Sequence, residues 1–295
     1  MRFGEKTSSV FSIKEMTRQS RRAFLFHSAV ISGATILSPM PSSAGDQDGL
    51  LSTSDVADLL RVVPTFTLVD PKGVPFMVVG EDAKVTGYFF TEFDEAKRIL
   101  DLARTSADRA LKEQKSELRQ QRKRKNLPTM TKQQEDDEIG INPWTTARIS
   151  TVTLDVAVTL VIKSVSSRNY FQVAPSNDDV EDALALTNQT DLPEGKVPLF
   201  YMANFTMNDK SPLYFRKSEL VAAFKRLNPQ SILPEIKVSE LFSVLTEMVK
   251  PGGTDEELKS LVFVAPRESN VHAKECAKAS KGETPFQLGQ RIIVL

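Results

Sequence analysis

His272 and Cys276 stand four residues apart, one turn of helix, and an imidazole at that distance could draw the proton from a thiol to make a cysteine nucleophile. They are the only residues in the chain that suggest this chemistry. The sequence has one Cys and two His, the other being His27. No Asn or Asp is identifiable as the group that would orient the imidazole, and a Lys-rich C-terminal segment surrounds the pair. One Cys excludes an intrachain disulfide and any Cys-rich zinc or iron–sulfur site. Two His leave little for an imidazole metal site. Asp94-Glu95 and Asp178-Asp179 are adjacent carboxylates, but both pairs fall at helix starts, where acids favour the helix dipole. No Gly-rich phosphate loop and no GxSxG elbow occurs. The reading is of a protein that is not an enzyme, with no catalytic, cofactor-binding or metal-binding residues and no cofactor. An exported thiol-dependent or hydrolytic enzyme using His272 and Cys276 is the alternative.

Two basic clusters carry a different chemistry. Residues 1–44 hold six basic side chains against Glu5 and Glu15, a net +4, which leaves −4 on the rest of a chain whose 38 basic and 38 acidic side chains balance. Arg21-Arg22 precede Phe24-Leu25, an apolar stretch to Leu37, and Ser42-Ser43-Ala44. That is the layout of a twin-arginine export signal, and the apolar run is too short to span a bilayer. The long Ser- and Thr-containing lead suits a short organellar transit peptide placed before it. The second cluster, Arg122-Lys123-Arg124-Lys125, has the composition of a site for anionic lipid or nucleic acid; a solvated charge block is the plainer reading. Zero net charge argues against a broad nucleic-acid surface, so no nucleic-acid partner is expected.

A repeat must position whatever the protein binds. Val63-Pro64-Thr65-Phe66 and Val197-Pro198-Leu199-Phe200 both read Val-Pro-x-Phe and open strand-like runs. Phe89-Phe90 and Tyr214-Phe215 follow as aromatic pairs. Each pair precedes a helical pattern, Ile99, Leu100, Ala103 and Ala107 in the first copy and Leu220, Val221, Phe224 and Leu227 in the second. Further on, Val152-Thr153-Leu154-Asp155 matches Val238-Ser239-Glu240-Leu241. Val173-Ala174-Pro175 matches Val264-Ala265-Pro266. The alternation of residues 152–160 reads as strand, whereas the partner segment reads as helix behind a Ser239 cap. The reading adopted is strand through about Val152 and helix from Asp155. Ser176 with Asp179 forms a capping-box pattern.

Pro64 to Pro175 spans 111 residues and Pro198 to Pro266 only 68, an excess of 43 that residues 112–142 mostly supply. This stretch is dense in Lys, Arg, Gln and Glu and reads as a helix overrun and a disordered loop, a charged flexible insert. Trp144 after it reads as a packing anchor. The organisation is therefore a targeting segment over 1–44, a first repeat over 50–111 and 143–190, a second over 195–275, and a tail over 276–295. Each repeat is too small to bury its own core. The expected fold is α+β and pseudo-two-fold symmetric, two β-β-β-α-type repeats packed into one unit with apolar grooves. Pro64 and Pro198 suggest strand starts or edges. Phe66 and Leu68 share one strand face, and Phe200 and Met202 share the matching one. As core these four need no further explanation; as partly open grooves they would bind extended peptide.

These segments, in this order, resemble the Tic-twenty-two family. Val63-Pro64-x-Phe66, Tyr88-Phe89-Phe90 before a helix, Phe171-Gln172-Val173-Ala174-Pro175 and Gly195-Lys196-Val197-Pro198-Leu199-Phe200 carry the likeness, over about residues 55–250. The resemblance implies a soluble component of the chloroplast inner-envelope translocon, or its cyanobacterial relative, holding precursor proteins in a chaperone-like way. Implied partners are unfolded precursor proteins and translocon subunits, with peripheral membrane association. The implied location is the plastid, in the envelope intermembrane space or the thylakoid lumen, or the periplasm in a cyanobacterium. The insert and the twin-arginine signal depart from the family pattern. A scaffold subunit that docks through the charged insert is the remaining alternative.

Overall fold

A computed structural model describes residues 51–79, 85–164, 169–251, 256–279, 285–287 and 291–293. The targeting segment at 1–44 lies outside the described residues. In chain order the elements are α1 (Thr53–Arg61), β1 (Pro64–Val69), β2 (Phe76–Val79), β3 (Val85–Phe90), α2 (Phe93–Arg124), α3 (Lys132–Ile139), a 3-10 turn (Pro143–Thr146), β4 (Arg148–Thr153), α4 (Leu154–Ser164), β5 (Asn169–Ala174) and α5 (Asn177–Thr187). The second half follows with β6 (Pro198–Met202), β7 (Ser211–Tyr214), α6 (Lys217–Leu227), β8 (Ile236–Glu240), α7 (Leu241–Val249), a second 3-10 turn (Glu256–Ser260), β9 (Leu261–Val264) and α8 (Arg267–Ala279). A short β10 (Arg291–Ile293) closes the chain. The protein is α+β, as expected.

The two sheets are wired alike. In the first, β1 lies antiparallel to β3 and β4, and β3 runs parallel to β5. In the second, β6 lies antiparallel to β7 and β8, and β7 runs parallel to β9. The first sheet adds β2 against β3 and β10 beside β2. Each half therefore has four matching strands, not three. The β2 hairpin has no matching strand in the second half, where residues 203–210 make a tight turn closed by Met207 and Lys210. Pro64 and Pro198 both begin strands that are interior to their sheets, the one interior place where a missing N–H is tolerated.

Backbone pairing shifts the expected repeat alignment by one residue. Phe66 faces Phe90 and Phe200 faces Tyr214, so Phe90 matches Tyr214 and Phe89 matches Leu213. Phe90 lies beside Ala174 and Tyr214 beside Val264, so the two Val-Ala-Pro strings are not equivalent. Pro64 opposite Thr153 and Pro198 opposite Glu240 place Leu154 with Leu241. The reason is the two-residue period of a strand: a slip of one would turn core side chains to the wrong face. Phe89 and Leu213 belong to the central core, whereas Phe90 and Tyr214 lie beneath the outer helices. For the same reason α7 is capped by Glu240, not Ser239. The Glu240 carboxylate accepts from the N–H groups of Phe242 (3.0 Å) and Ser243 (2.9 Å), while Ser239 is still in β8. The strand-then-helix reading at 152–155 holds, with the change at Leu154.

One core joins the halves. Val63, Phe89, Leu154 and Phe171 of the first pack with Val197, Leu199, Leu213, Leu241 and Phe263 of the second. Two satellite cores lie on the outer faces. Beneath α2, Phe66, Leu68 and Phe90 meet Ile99, Leu100 and Ala103. Beneath α6, Phe200, Met202 and Tyr214 meet Leu220, Ala223 and Phe224. Gly87 of β3 sits where a Cβ would come within 2.7 Å of Met77 Sδ and 2.8 Å of the Phe171 ring, so this position takes only glycine without repacking.

The insert is not a disordered loop. α2 runs unbroken for 32 residues to Arg124, Asn126 adopts a left-handed conformation with φ 52°, and α3 folds back along it. Arg119 grips the Glu135 carboxylate with both ends of its fork (2.5 and 2.7 Å), and Lys115 pairs with Asp136. Thr131 and Gln134 form a capping box at the start of α3. At the base, Arg104 donates to the carbonyls of Trp144 (3.1 Å) and Ala147 (2.8 Å), and Asn142 Nδ2 donates to Asp108 (2.7 Å). Trp144 is buried and stacks on Phe76 at 4.6 Å, the anchor it was expected to be. Charge pairing and capping thus replace the apolar burial that the composition lacks.

Candidate functional site

Phe66 and Phe200 are 0% exposed, Leu68 6% and Met202 3%. They do share faces as the alternation requires, but α2 and α6 lie over those faces. The expectation of partly open grooves at these four residues is corrected: the helices that follow each aromatic strand are amphipathic, and their apolar stripes occupy the grooves.

The covering is completed crosswise. Ala183 of α5, which ends the first half, packs into the satellite core of the second sheet. Ala273 of α8, which ends the second half, packs against the core beneath α2 in the first. Each half therefore shields the other's sheet. The starts of α2 and α6 are the contact points: Lys217 pairs with Asp182 of α5, and the Phe93 ring stacks on His272 of α8 at 4.2 Å.

Between these contacts lies a buried polar cluster. Glu92 precedes α2 and pairs with Arg216, which precedes α6. Asp179 of α5 is 1% exposed; the Ser176 hydroxyl donates to its carboxylate at 2.6 Å and accepts from its N–H at 3.2 Å, the capping pattern read from the sequence. Burial, with the adjacent Glu92 charge, pushes the Asp179 carboxyl up to about 8. Burial raises Glu92 as well, against the pull of Arg216. Glu92 Oε1 is buried and meets no other donor, so the arrangement suits an ionised Glu92 on Arg216 with Asp179 holding a proton towards Glu92. Ser269 of α8 donates to the Thr91 carbonyl at 3.0 Å beside it, and Arg216 also approaches Glu268 at 3.7 Å. Sequence reasoning assigned Asp178-Asp179 to the helix dipole; only the fold brings Asp179 to Glu92.

This cluster has the perturbed acids of an active site but not the access. The cleft beside it, between Phe93, Arg216, Glu268 and His272, has no room for a substrate beyond a water or two. The His272 ring lies on Phe93, and its Nδ1 is 3.0 Å from Glu275. Cys276 is half-buried one turn further along α8. Among the described residues no group of three or more His, Cys, Asp and Glu is arranged to hold a metal ion, and no helix is long and apolar enough to cross a membrane.

Among the described residues, two surfaces suit a partner. The first is the loop between α6 and β8, where Ile232 is 93% exposed and Leu227 and Leu233 are also exposed. The second is the arm formed by α2 and α3. An open cleft of about 360 Å³ runs along its base, lined by Leu111, Lys112, Lys115, Arg119 and the exposed Ile141. The sequence singles out the basic run of the arm but not the loop. Short apolar strings in a Pro-containing loop look the same whether they fold inward or outward.

Comparison with known proteins gives a consistent result. A family model described as the Tic22-like family matches residues 9–275. The fold is similar to the solved structure of Tic22 from Plasmodium falciparum, at 16% identity and a TM-score of 0.54, covering 77% of this chain and 99% of that one. It is also similar to Anabaena Tic22, described as a protein-transport protein, at 16% identity and a TM-score of 0.51, covering 76% and 97%. No curated protein matches the sequence.

Proposed function

The chain belongs to the Tic22-like family, and from that membership we propose that it is a protein-transport factor that holds unfolded precursor proteins while they pass between membranes. The observation that carries this reading is the family match over residues 9–275 together with the protein-transport role of the Anabaena relative. The reading is of a non-catalytic holder of plastid or cyanobacterial-type origin, in the envelope intermembrane space or an internal plastid space, working with translocon subunits. It uses no cofactor. The Phe93 ring stacked on His272 and the lack of substrate-sized space beside it favour it over a thiol enzyme.

Client contact in this reading falls on the exposed apolar side chains, Ile232 and Leu233 foremost, since the Phe66 and Phe200 faces are filled. Weak, broad burial of apolar stretches is all that a holder needs, and release then needs no energy source. The experiment is aggregation of a model unfolded client, followed by light scattering, with and without the protein. Suppression by the full chain is expected, with loss of most of it in Ile232→Asp/Leu233→Asp at unchanged melting temperature. A full chain that gives no protection and captures no precursor from a native membrane system would remove the holder reading.

A further inference from the structure

The arm places a concentrated positive charge far from an acidic body. The last residues of α2 buried against the sheet are Ile99, Leu100 and Ala103. Past the Arg104 and Asp108 contacts at its base, residues 109–124 continue for about 24 Å at the α-helical rise. Residues 118–134, the far end, hold six cations (Arg119, Arg122, Lys123, Arg124, Lys125 and Lys132) and no acidic side chain. After residue 44 the chain has 32 basic and 36 acidic side chains; residues 112–142 take eight and six of these, so 24 face 30 in the remainder, a body of −6. The acids nearest the end are committed inward, Glu135 to Arg119 and Asp136 to Lys115. Arg122 is committed too, donating to the Pro128 carbonyl (3.1 Å) to brace the turn. Lys123, Arg124, Lys125 and Lys132 are exposed. Between them the turn presents Leu127, 47% exposed, with Met130 half-buried beside it.

We propose that this tip, Lys123, Arg124, Lys125 and Lys132 around Leu127, docks on a membrane surface rich in anionic phospholipid and holds the acidic body clear of it. Cations that flank an exposed apolar side chain match a lipid interface, where the charge meets headgroup phosphate and the apolar group enters the acyl boundary. A nucleic-acid site of the same charge would need stacking groups, and residues 118–134 contain no aromatic side chain. The length of the arm has a physical use here. An acidic body is repelled by an anionic surface, but charges are screened over about 8 Å at physiological salt. A spacer of about 24 Å keeps the body about three screening lengths away while the tip makes contact. The bidentate Arg119–Glu135 grip and the Arg104–Trp144 brace make the spacer stiff enough to do so.

The test is co-sedimentation of the full chain with vesicles of equimolar phosphatidylcholine and phosphatidylglycerol, against vesicles of phosphatidylcholine alone. Binding to the mixed vesicles only, falling with added salt, is expected. Each cation near such a surface contributes about fivefold in affinity, so Lys123→Glu/Arg124→Glu/Lys125→Glu should bind at least about a hundredfold more weakly. Lys132→Glu, which suits the start of α3 and leaves the arm folded, should weaken binding as well. The inference is overturned by equal binding to both vesicle types, or by variants that bind as the parent does, which would assign the attraction to residues 1–44. It is overturned equally if the chain prefers a single-stranded RNA to the mixed vesicles. Client protection in the light-scattering experiment uses none of these residues, so the two readings fail separately.

Discussion

Glu92 and Arg216 hold the same position in the two halves, one residue before α2 and one residue before α6, and they pair with each other. Two copies of one motif have therefore diverged to opposite charge at the place where they touch. Glu92 is buried, Arg216 is part-exposed, and Asp179 adds a second, buried carboxylate to one guanidinium. Such a cluster is balanced only if one acid keeps its proton.

That balance makes stability depend on pH. The folded Asp179 carboxyl lies at about 8, above its ordinary value of 3.8, so the folded state holds a proton that the unfolded chain has lost. Stability therefore falls as pH rises between those two values, and the full penalty is present above about 8. Asp179→Asn keeps a donor towards Glu92 and removes the titration. It should raise stability by on the order of a few kcal/mol at pH 9 and far less at pH 5. Urea unfolding at the two pH values measures it; an equal effect at both would disprove the proton assignment.

Removing the cation should act in the other direction. Arg216→Ala leaves Glu92 without its counter-charge in a buried site, at a cost of about 3–5 kcal/mol at neutral pH. The loss should shrink as the pH is lowered and Glu92 takes up a proton. Thermal denaturation over a pH series would show this convergence, and a constant offset would contradict it.

Phe66→Ala and Phe200→Ala should each cost about 3–5 kcal/mol, because both rings are fully enclosed between a sheet and a helix. The two losses should resemble each other, as the sites do. A variant that kept its melting temperature but lost client protection would restore the open-groove reading.

Gly87→Ala should destabilise by about 1–3 kcal/mol through the approach to Met77 and the Phe171 ring. Adding Met77→Ala should recover part of the loss in a double-mutant cycle. Additive effects would show that the clash is not with Met77 Sδ.

Glu135→Ala should loosen α3 while leaving the two sheets intact. Faster tryptic cleavage between residues 119 and 132, with an unchanged melting temperature, is the expected pattern. A drop in melting temperature would mean that the arm supports the body.

Much of this architecture is legible in residue order. Val-Pro-x-Phe twice over locates β1 and β6, the helical patterns after the aromatic strands locate α2 and α6, and Ser176 marks the start of α5. What misleads is similarity read as register. Two Val-Ala-Pro strings invite an alignment that hydrogen bonding forbids, because strand partners set equivalence and those partners lie 84 residues away in the first half and 50 in the second. Beyond the helix overrun the arm reads as a disordered loop when only apolar residues are counted, whereas ion pairs at a separation of 16 or 21 residues hold it together. The crossed placement of α5 and α8 has no local signature: Ala183 and Ala273 look like any small residue on an amphipathic helix.

The crossing sets an order in time. When α5 leaves the ribosome the first sheet already has all its matching strands, yet the helix that finishes its cover, α8, begins roughly 80 residues later. The first half thus waits, its β1–β4 face covered by α2 but not yet by α8, until nearly the whole chain has been made. Contacts of such sequence separation slow folding. A nascent molecule of this design stays threadable for almost its entire synthesis, and it becomes a finished body only when its last helix closes over its first sheet.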